Sequence, residues 1–216
     1  IDAPGHEAFK NLRSFGSSIC DIAVLVVDLV HGLEPQTIES MNLLKEANTP
    51  FIIALNKIDR LYGWKANNND SFINTFENQA DSTQDEFDTR LNKIIVQIME
   101  QGFNTKLYWE IDEIKINRSG VFMDDFVIPI CPTSAISGEG LSDLLATLIK
   151  WSQNKLTSKI TLTNNLKCVL METTKLEGFG LTLDVILIDG ELKVVDKITI
   201  NTISGTFDNT IKNLLT

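Results

Sequence analysis

The residues best suited to chemistry form the run Asn-Lys-Ile-Asp at 56–59, directly after an apolar segment. Guanine presents its N1–H and its exocyclic amine side by side, and the carboxylate of Asp59 can accept hydrogen bonds from both. Adenine lacks that amine, so pairing with it would leave the carboxylate unsatisfied. The Asn56 amide can bind the other edge of the base, and the aliphatic stem of Lys57 can cover the ring. The run predicts guanine recognition, with an ordinary polar loop as the alternative.

A second group of such residues is Asp2-Ala3-Pro4-Gly5-His6. An aspartate at a strand end can hold a water molecule of a bound Mg²⁺. Gly5 has no Cβ, so its N–H can approach a terminal phosphate. His6 would stand where an attacking water must be oriented, and phosphoryl transfer depends mainly on such positioning. The alternative is a plain turn with His6 on the surface.

A third loop, at 134–140, begins Ser134-Ala135-Ile136 and contains two glycines. Its backbone N–H groups could point at the carbonyl oxygen of guanine, although a generic loop between strand and helix has the same composition. The three loops occur in chain order, each after a predicted strand, and ligands of open α/β sheets bind at the carboxyl ends of strands. Together they predict a GTP/GDP site with Mg²⁺.

The elements around these loops alternate between strand and helix, which predicts an α/β fold with a mainly parallel sheet. Continuous apolar runs indicate strands buried on both faces. Strands are predicted at 23–28, 51–55 and 126–131, and helices at 7–18, 35–49, 87–99 and 141–149. The Asn-rich stretch 64–85 shows little periodicity and is predicted to be a partly disordered surface insertion.

The pattern changes near residue 155, where helical spacing disappears and Thr and Ser become frequent. Asp189-Gly190 is a typical hairpin turn. The sequence therefore predicts two domains, 1–155 and an all-β part at 156–216 that a barrel would close. Its strands are predicted at 167–173, 181–188, 191–195 and 197–201.

Composition limits the function classes. The chain has 216 residues, of which 43% are hydrophobic and 22% charged, as in globular proteins. No segment approaches ~20 apolar residues, so no membrane span is predicted. The net charge of −10 argues against a broad nucleic-acid footprint and leaves docking on RNA through a local basic patch as the alternative. Three widely spaced cysteines favour small buried side chains over disulfides or zinc.

The three motifs, in this order, resemble those of the translational GTPases. The stretch 11–40, which includes His-Gly-Leu-Glu-Pro-Gln-Thr-Ile-Glu-Ser at 31–40, is similar to the initiation factor 5B family of eukaryotes and archaea, related to bacterial initiation factor 2. The resemblance continues through 56–64 and 166–189. It implies part of a P-loop GTPase domain, without its amino-terminal portion, followed by a partial translation-factor β-barrel.

The resemblance also implies an activity and partners. It implies a cytoplasmic, ribosome-dependent GTPase that promotes joining of the two ribosomal subunits, works with other initiation factors, and contacts initiator tRNA through a domain that this chain does not contain. The barrel would dock on the small subunit. The implied roles are Mg²⁺ and γ-phosphate binding for Asp2 and Gly5, catalysis for His6, and guanine binding for Asn56, Lys57, Asp59, Ser134 and Ala135.

The sequence departs from the family pattern. It contains no G-x-x-x-x-G-K-[ST] loop and no first switch, both of which we expect to precede residue 1, and Phe15 stands where a basic residue is expected. We therefore expect the full-length protein to be a GTPase and this chain alone to be inactive. The alternative is a non-enzymatic ribosome-interaction module that binds no nucleotide. A more distant alternative is another translational GTPase, such as an elongation factor.

Overall fold

The computed structural model describes residues 2, 3, 16, 19–111, 127–156, 165–202 and 205–215. The chain divides into two compact units, Ile1–Ser158 and Lys159–Thr216. The helix predicted at 7–18 lies almost entirely outside the described residues.

The first unit contains a four-stranded parallel sheet in the order β1-β2-β4-β3. Asp28 is paired with Asn56 and Asn56 with Thr133, so three strands end at the same edge of the sheet. The strands are β1 (Ala23–Asp28), β2 (Phe51–Asn56), β3 (Asn104–Leu107) and β4 (Val127–Thr133), and the helices are α1 (Pro35–Glu46), α2 (Phe72–Glu77), α3 (Asp81–Glu100) and α4 (Leu141–Lys155). The predicted α/β arrangement is confirmed.

Strand β2 is apolar from Phe51 to Leu55, as expected where both faces of the sheet are covered. Successive side chains of a strand point to opposite faces. Phe51, Ile53 and Leu55 enter the main core, which α1 and α3 complete. Ile52 enters a second core with Cys131 and with Trp151 of α4. Because its side chains are buried on both faces of the sheet, β2 holds the Asn56–Asp59 motif at its carboxyl end in a fixed position.

The polar stretch at 64–85 is ordered, so the prediction of a partly disordered insertion is wrong. It contains α2 and the first turn of α3. Phe72 is fully buried, and the centroid of its ring lies 5.2 Å from that of Phe76 and 5.0 Å from that of Phe87. A few aromatic side chains anchor a segment whose average composition resembles that of a disordered one. The short strand β3 also escaped prediction.

The second unit is all-β, as predicted, and its described strands form two antiparallel pairs. They are β5 (Lys167–Leu176) with β6 (Gly180–Asp189), and β7 (Lys197–Thr202) with β8 (Gly205–Thr210). The strand predicted at 191–195 is wrong. The Asp196 carboxylate accepts a hydrogen bond from Lys193 N (2.8 Å), and Val195 takes a left-handed φ of 79°, so the chain turns here. Consequently Asp189-Gly190 does not join two paired strands.

The expectation that the cysteines are small buried residues has a mixed outcome. Cys131 is buried as predicted, whereas Cys168 on β5 is exposed. Within the described part of the chain, no helix is both long enough and apolar enough to cross a membrane.

Candidate nucleotide site

The first motif forms a tight turn at the end of β2. Asn56 is the last residue of the strand, and its side-chain Oδ1 accepts a hydrogen bond from the backbone N–H of Lys57 at 2.8 Å. Lys57 adopts a φ of 71°, a left-handed conformation that is uncommon for residues with a side chain. A short 3₁₀ turn follows, in which Ile58 is fully buried. The buried Ile58 anchors the turn, which presents Asp59 and Lys57 at the edge of the sheet.

The third motif joins the first through two hydrogen bonds between residues distant in sequence, one between two side chains and one from backbone to a side chain. Ser134 is fully buried, and its hydroxyl donates to Asp59 Oδ1 at 2.5 Å. Asn56 Oδ1 accepts a second hydrogen bond, from the backbone N–H of Ala135, at 3.1 Å. These contacts bring together the predicted guanine-binding residues of the two loops.

The loop after β4 is organised by Ser134. Its hydroxyl oxygen also accepts from the backbone N–H groups of Ile136 (3.3 Å) and Ser137 (3.2 Å). The side chain of Ala135 is exposed and Ile136 is 80% exposed, so this part of the loop is accessible to a ligand. The arrangement places a carboxylate, a carboxamide and a loop of N–H groups side by side, which suits the hydrogen-bonding pattern of guanine.

Asp28, at the end of β1, is a member of the same edge that the sequence analysis did not single out. Its Oδ2 lies 2.6 Å from Lys57 Nζ and 2.9 Å from His31 Nδ1. Burial alone would raise the pKa of Asp28, but hydrogen bonds from Lys57, from His31 and from two backbone N–H groups outweigh it and hold the pKa well below the ordinary value of 3.8. The signal that could have found it is an aspartate directly after an apolar strand parallel to β2.

The second motif is described only at its start. Asp2 and Ala3 are exposed, and Pro4, Gly5 and His6 lie outside the described residues. Among the residues with described positions, no group of three or more His, Cys, Asp or Glu could hold a metal ion. A single exposed carboxylate fits the predicted role of Asp2, since Mg²⁺ bound to nucleotides takes most of its ligands from phosphates and water. The roles of residues 2–6 stay predictions.

Comparison with known proteins assigns the class. Residues 1–154 match the elongation factor Tu GTP binding domain family, and the chain belongs to that family. Within it, the chain is similar over its whole length to eukaryotic translation initiation factor 5B, with 44% identity to that of Dictyostelium discoideum and 45% to that of Saccharomyces cerevisiae. The predicted resemblance to the initiation factor 5B group is thereby confirmed. The chain spans about a fifth of the length of these relatives, 20% and 21%.

A solved structure supports the same fold. The crystal structure of GDP-bound aIF5B from Aeropyrum pernix has a TM-score of 0.81 and 37% identity, covering 97% of this chain and 34% of that chain. A GTP-binding domain of this family, with a parallel sheet flanked by helices, followed by antiparallel strands, is therefore the fold of this chain.

Proposed function

We propose that the full-length protein is a translation initiation factor that binds and hydrolyses GTP, and that this chain carries its guanine-specificity part. The observation that carries the proposal is the convergence of the first and third motifs at one edge of the sheet. Asp59 contacts Ser134, and Asn56 contacts the N–H of Ala135. Membership of the GTP-binding family and the identity to initiation factor 5B support it.

On the guanine side, each residue has a separate role in the proposal. One carboxylate oxygen of Asp59 is held by Ser134. The carboxylate would accept hydrogen bonds from the amine and the N1–H of the base. Asn56 binds the opposite edge, and Lys57 covers the ring with its stem while Asp28 holds its ammonium group. The N–H groups of Ala135 and Ile136 donate to Asn56 Oδ1 at 3.1 Å and to the Ser134 hydroxyl at 3.3 Å, and in the proposal they are shared with the base carbonyl as bifurcated donors.

On the phosphate side, the proposal rests on the sequence motif. Asp2 would hold a water of Mg²⁺, Ala3, Pro4 and Gly5 would bring backbone close to the γ-phosphate, and His6 would orient the attacking water. The metal, when bound, neutralises charge that develops on the phosphate oxygens.

The proposed partners are both ribosomal subunits and other initiation factors, in the cytoplasm, with initiator tRNA contacted by another part of the longer protein. The proposed reaction is GTP hydrolysis coupled to subunit joining. If ribosomes do not stimulate phosphate release by the full-length protein, the enzymatic part of the proposal is wrong.

A second candidate function concerns this chain by itself. The 216 residues contain no G-x-x-x-x-G-K-[ST] sequence. Backbone N–H groups of such a loop and Mg²⁺ supply much of the binding energy of a nucleotide, so the guanine side alone would bind weakly. The chain would then be a non-enzymatic, ribosome-interacting fragment with no hydrolytic activity.

The first test is a titration of this chain with fluorescent GDP and Mg²⁺, using ADP as the control. Saturable binding of GDP without a response to ADP is the expected result if the guanine site is formed. Asp59→Asn should then abolish GDP binding and favour xanthosine diphosphate, because xanthine carries a carbonyl oxygen where guanine carries its amine. The exposed Asp88→Asn on α3 is the matched control and should bind GDP normally.

The outcomes separate the candidates. Equal binding of GDP and ADP, or GDP binding that Asp59→Asn leaves unchanged, would refute the proposed guanine site. Absence of all nucleotide binding by the chain, together with GDP binding by the full-length protein, would support the second candidate for the chain alone.

A further inference from the structure

A fully buried glutamate connects the loop after β4 (residues 134–140), here called the nucleotide loop, to the segment that precedes α2. Glu139, near the end of the loop after β4, is 0% exposed. Carboxylates are rarely fully buried unless hydrogen-bonding partners compensate for the lost water. Glu139 is not among the residues expected to touch the nucleotide, so its burial requires another explanation.

The hydrogen-bonding partners of Glu139 belong both to the segment before α2 and to the nucleotide loop. The indole Nε1 of Trp64 lies 3.2 Å from Oε1 and 3.3 Å from Oε2, and the backbone N–H of Asn67 donates to Oε1 at 2.8 Å. The hydroxyl of Ser137, in the nucleotide loop itself, donates to Oε2. One carboxylate thus joins residues more than 70 positions apart in the chain.

Three further hydrogen bonds join residues 64–72, here called the brace segment, to residues 134–143. Asn69 N donates to Ser137 O at 2.9 Å, and Gly140 N donates to Asp70 O at 3.0 Å. The backbone N–H of Phe72, at the start of α2, donates to the Asp143 carboxylate at 2.7 Å. Phe72 is itself held in the aromatic cluster of the main core. The brace segment is therefore fixed to the core at one end and to the loop along its length.

The loop transmits this constraint to the proposed guanine contacts. Ser134 N donates to Glu139 O and Gly138 N donates to Ser134 O, both at 2.9 Å. These two hydrogen bonds close a short loop, with Ser134 at its start and Glu139 at its end. A Cβ on Gly138 would lie 2.2 Å from Asn69 Oδ1, so the brace segment also packs directly against the loop backbone.

We propose that Glu139 is a positioning residue for guanine recognition and that the polar segment at 64–72 serves as the brace it acts through. The inference rests on the proposed function of the loop. Glu139 does not touch the base. It sets the position of the exposed loop backbone at Ala135 and Ile136, whose N–H groups donate to Asn56 Oδ1 and to the Ser134 hydroxyl. Asp59 is positioned by its own turn and by Ser134.

The chemistry of the contact predicts which substitution releases the brace. Gln at position 139 keeps the size of the side chain but replaces one acceptor oxygen with an NH₂ donor. The Ser137 hydroxyl can turn to accept from an NH₂ group. The Trp64 indole N–H lies within 3.3 Å of both oxygens, so whichever oxygen becomes NH₂, this donor faces a donor. Displacements of about 1 Å in a binding loop can change function by roughly a hundredfold. We expect Glu139→Gln to weaken GDP binding by roughly tenfold.

The experiment uses three nucleotides and this chain, or the full-length protein if the chain alone binds too weakly. GDP is compared with 6-thio-GDP, which replaces the base carbonyl oxygen with a poor acceptor, and with IDP, which lacks the amine read by Asp59. In Glu139→Gln, the preference for GDP over 6-thio-GDP should fall toward one, and the preference for GDP over IDP should persist. Trp64→Phe, which removes only the indole donor, should shift the first ratio less. Glu77→Gln, exposed on α2, is the matched control.

Hydrogen exchange gives a readout that requires no nucleotide. Glu139→Gln should accelerate exchange at the amides of Ile136 and Ser137 while exchange in β2 and α3 stays as in the unmodified chain. The proposed role of Glu139 would be overturned if Glu139→Gln left hydrogen exchange in the loop unchanged. It would also be overturned if the variant lost the preference over 6-thio-GDP and the preference over IDP to the same extent. If the unmodified protein does not discriminate GDP from ADP, the proposed function fails, and the exchange measurement still decides whether Glu139 orders the loop.

Discussion

At the scale of single residues, the nucleotide edge depends on a few short polar contacts. The three carboxylates have different surroundings. Asp59 accepts a hydrogen bond from Ser134, and Asp28 forms an ion pair with Lys57. Glu139 accepts hydrogen bonds from Trp64 and Asn67. Hydrogen bonds to charged groups contribute about 1.5–3 kcal/mol each, more than those between neutral groups. Such contacts therefore affect both the geometry of the site and the stability of the first unit.

Asp28 provides a prediction on pH dependence. Its pKa in the folded chain lies below 3.8, so its stabilising contribution is complete above that value and is lost as the pH falls through 3.8 toward the lower folded pKa. Asp28→Asn should lower the free energy of unfolding by about 1–2 kcal/mol at neutral pH. The difference from the unmodified chain should shrink below about pH 4, measured by urea unfolding followed by tryptophan fluorescence. A difference that grows on acidification would contradict the assignment.

At the scale of elements, the site is made by loops that follow β2 and β4. Both loops need left-handed backbone: Lys57 in the first, and Gly138 and Gly140 in the second. Gly140 precedes the first residue of α4 and has a φ of 70°. A Cβ there would stand 2.0 Å from the carbonyl oxygen of Pro132, so the loop must pass close to the end of β4.

Gly140→Ala is expected to destabilise the first unit more than conformational strain alone can explain. Gly102→Ala is the matched control, because Gly102 has a φ of 80° and its nearest neighbour is the tip of Lys45 at 3.9 Å. We expect about 1 kcal/mol for Gly102→Ala from the left-handed backbone and about 2 kcal/mol or more beyond that for Gly140→Ala from steric overlap. Urea unfolding of both variants measures the difference, and equal losses would show that the close approach to Pro132 is relieved cheaply.

At the scale of the whole molecule, the chain consists of two units that differ in how well they cover their apolar residues. The first has a core on each face of its sheet. In the second, side chains such as Leu181 and Val195 are mostly exposed, at 75% and 73%. The two units should therefore differ in protection from solvent and from reagents.

The cysteines allow this difference to be measured in one chain. Burial raises the pKa of the Cys131 thiol to about 12, despite a hydrogen bond with Thr147 that lowers it, and the side chain has 0% exposure. Thiolate is the reactive form, so Cys131 should resist alkylation until the first unit unfolds. Cys168 is exposed and should be alkylated in the folded chain. Mass spectrometry after iodoacetamide treatment at increasing urea would test this, and early labelling of Cys131 would contradict the buried position.

The alternation of strands and helices, the change to an all-β second part and the place of the Asn56–Asp59 run at a strand end could be predicted from local sequence. These follow from local periodicity and from residue types whose chemistry is specific, such as the order Asn56, Lys57, Asp59 after an apolar strand. The sequence also predicted that the first and third motifs lie at strand ends, where parallel strands bring them together.

The order of the segment at 64–72 and the burial of Glu139 against it depend on tertiary contacts. These contacts join residues far apart in the chain, and local composition carries no record of such partners. The same holds for Asp28 and Lys57, which meet because β1 and β2 are in register. Conversely, the strand expected at 191–195 failed because the Asp196 side chain and the left-handed Val195 form a turn that hydrophobic spacing does not reveal.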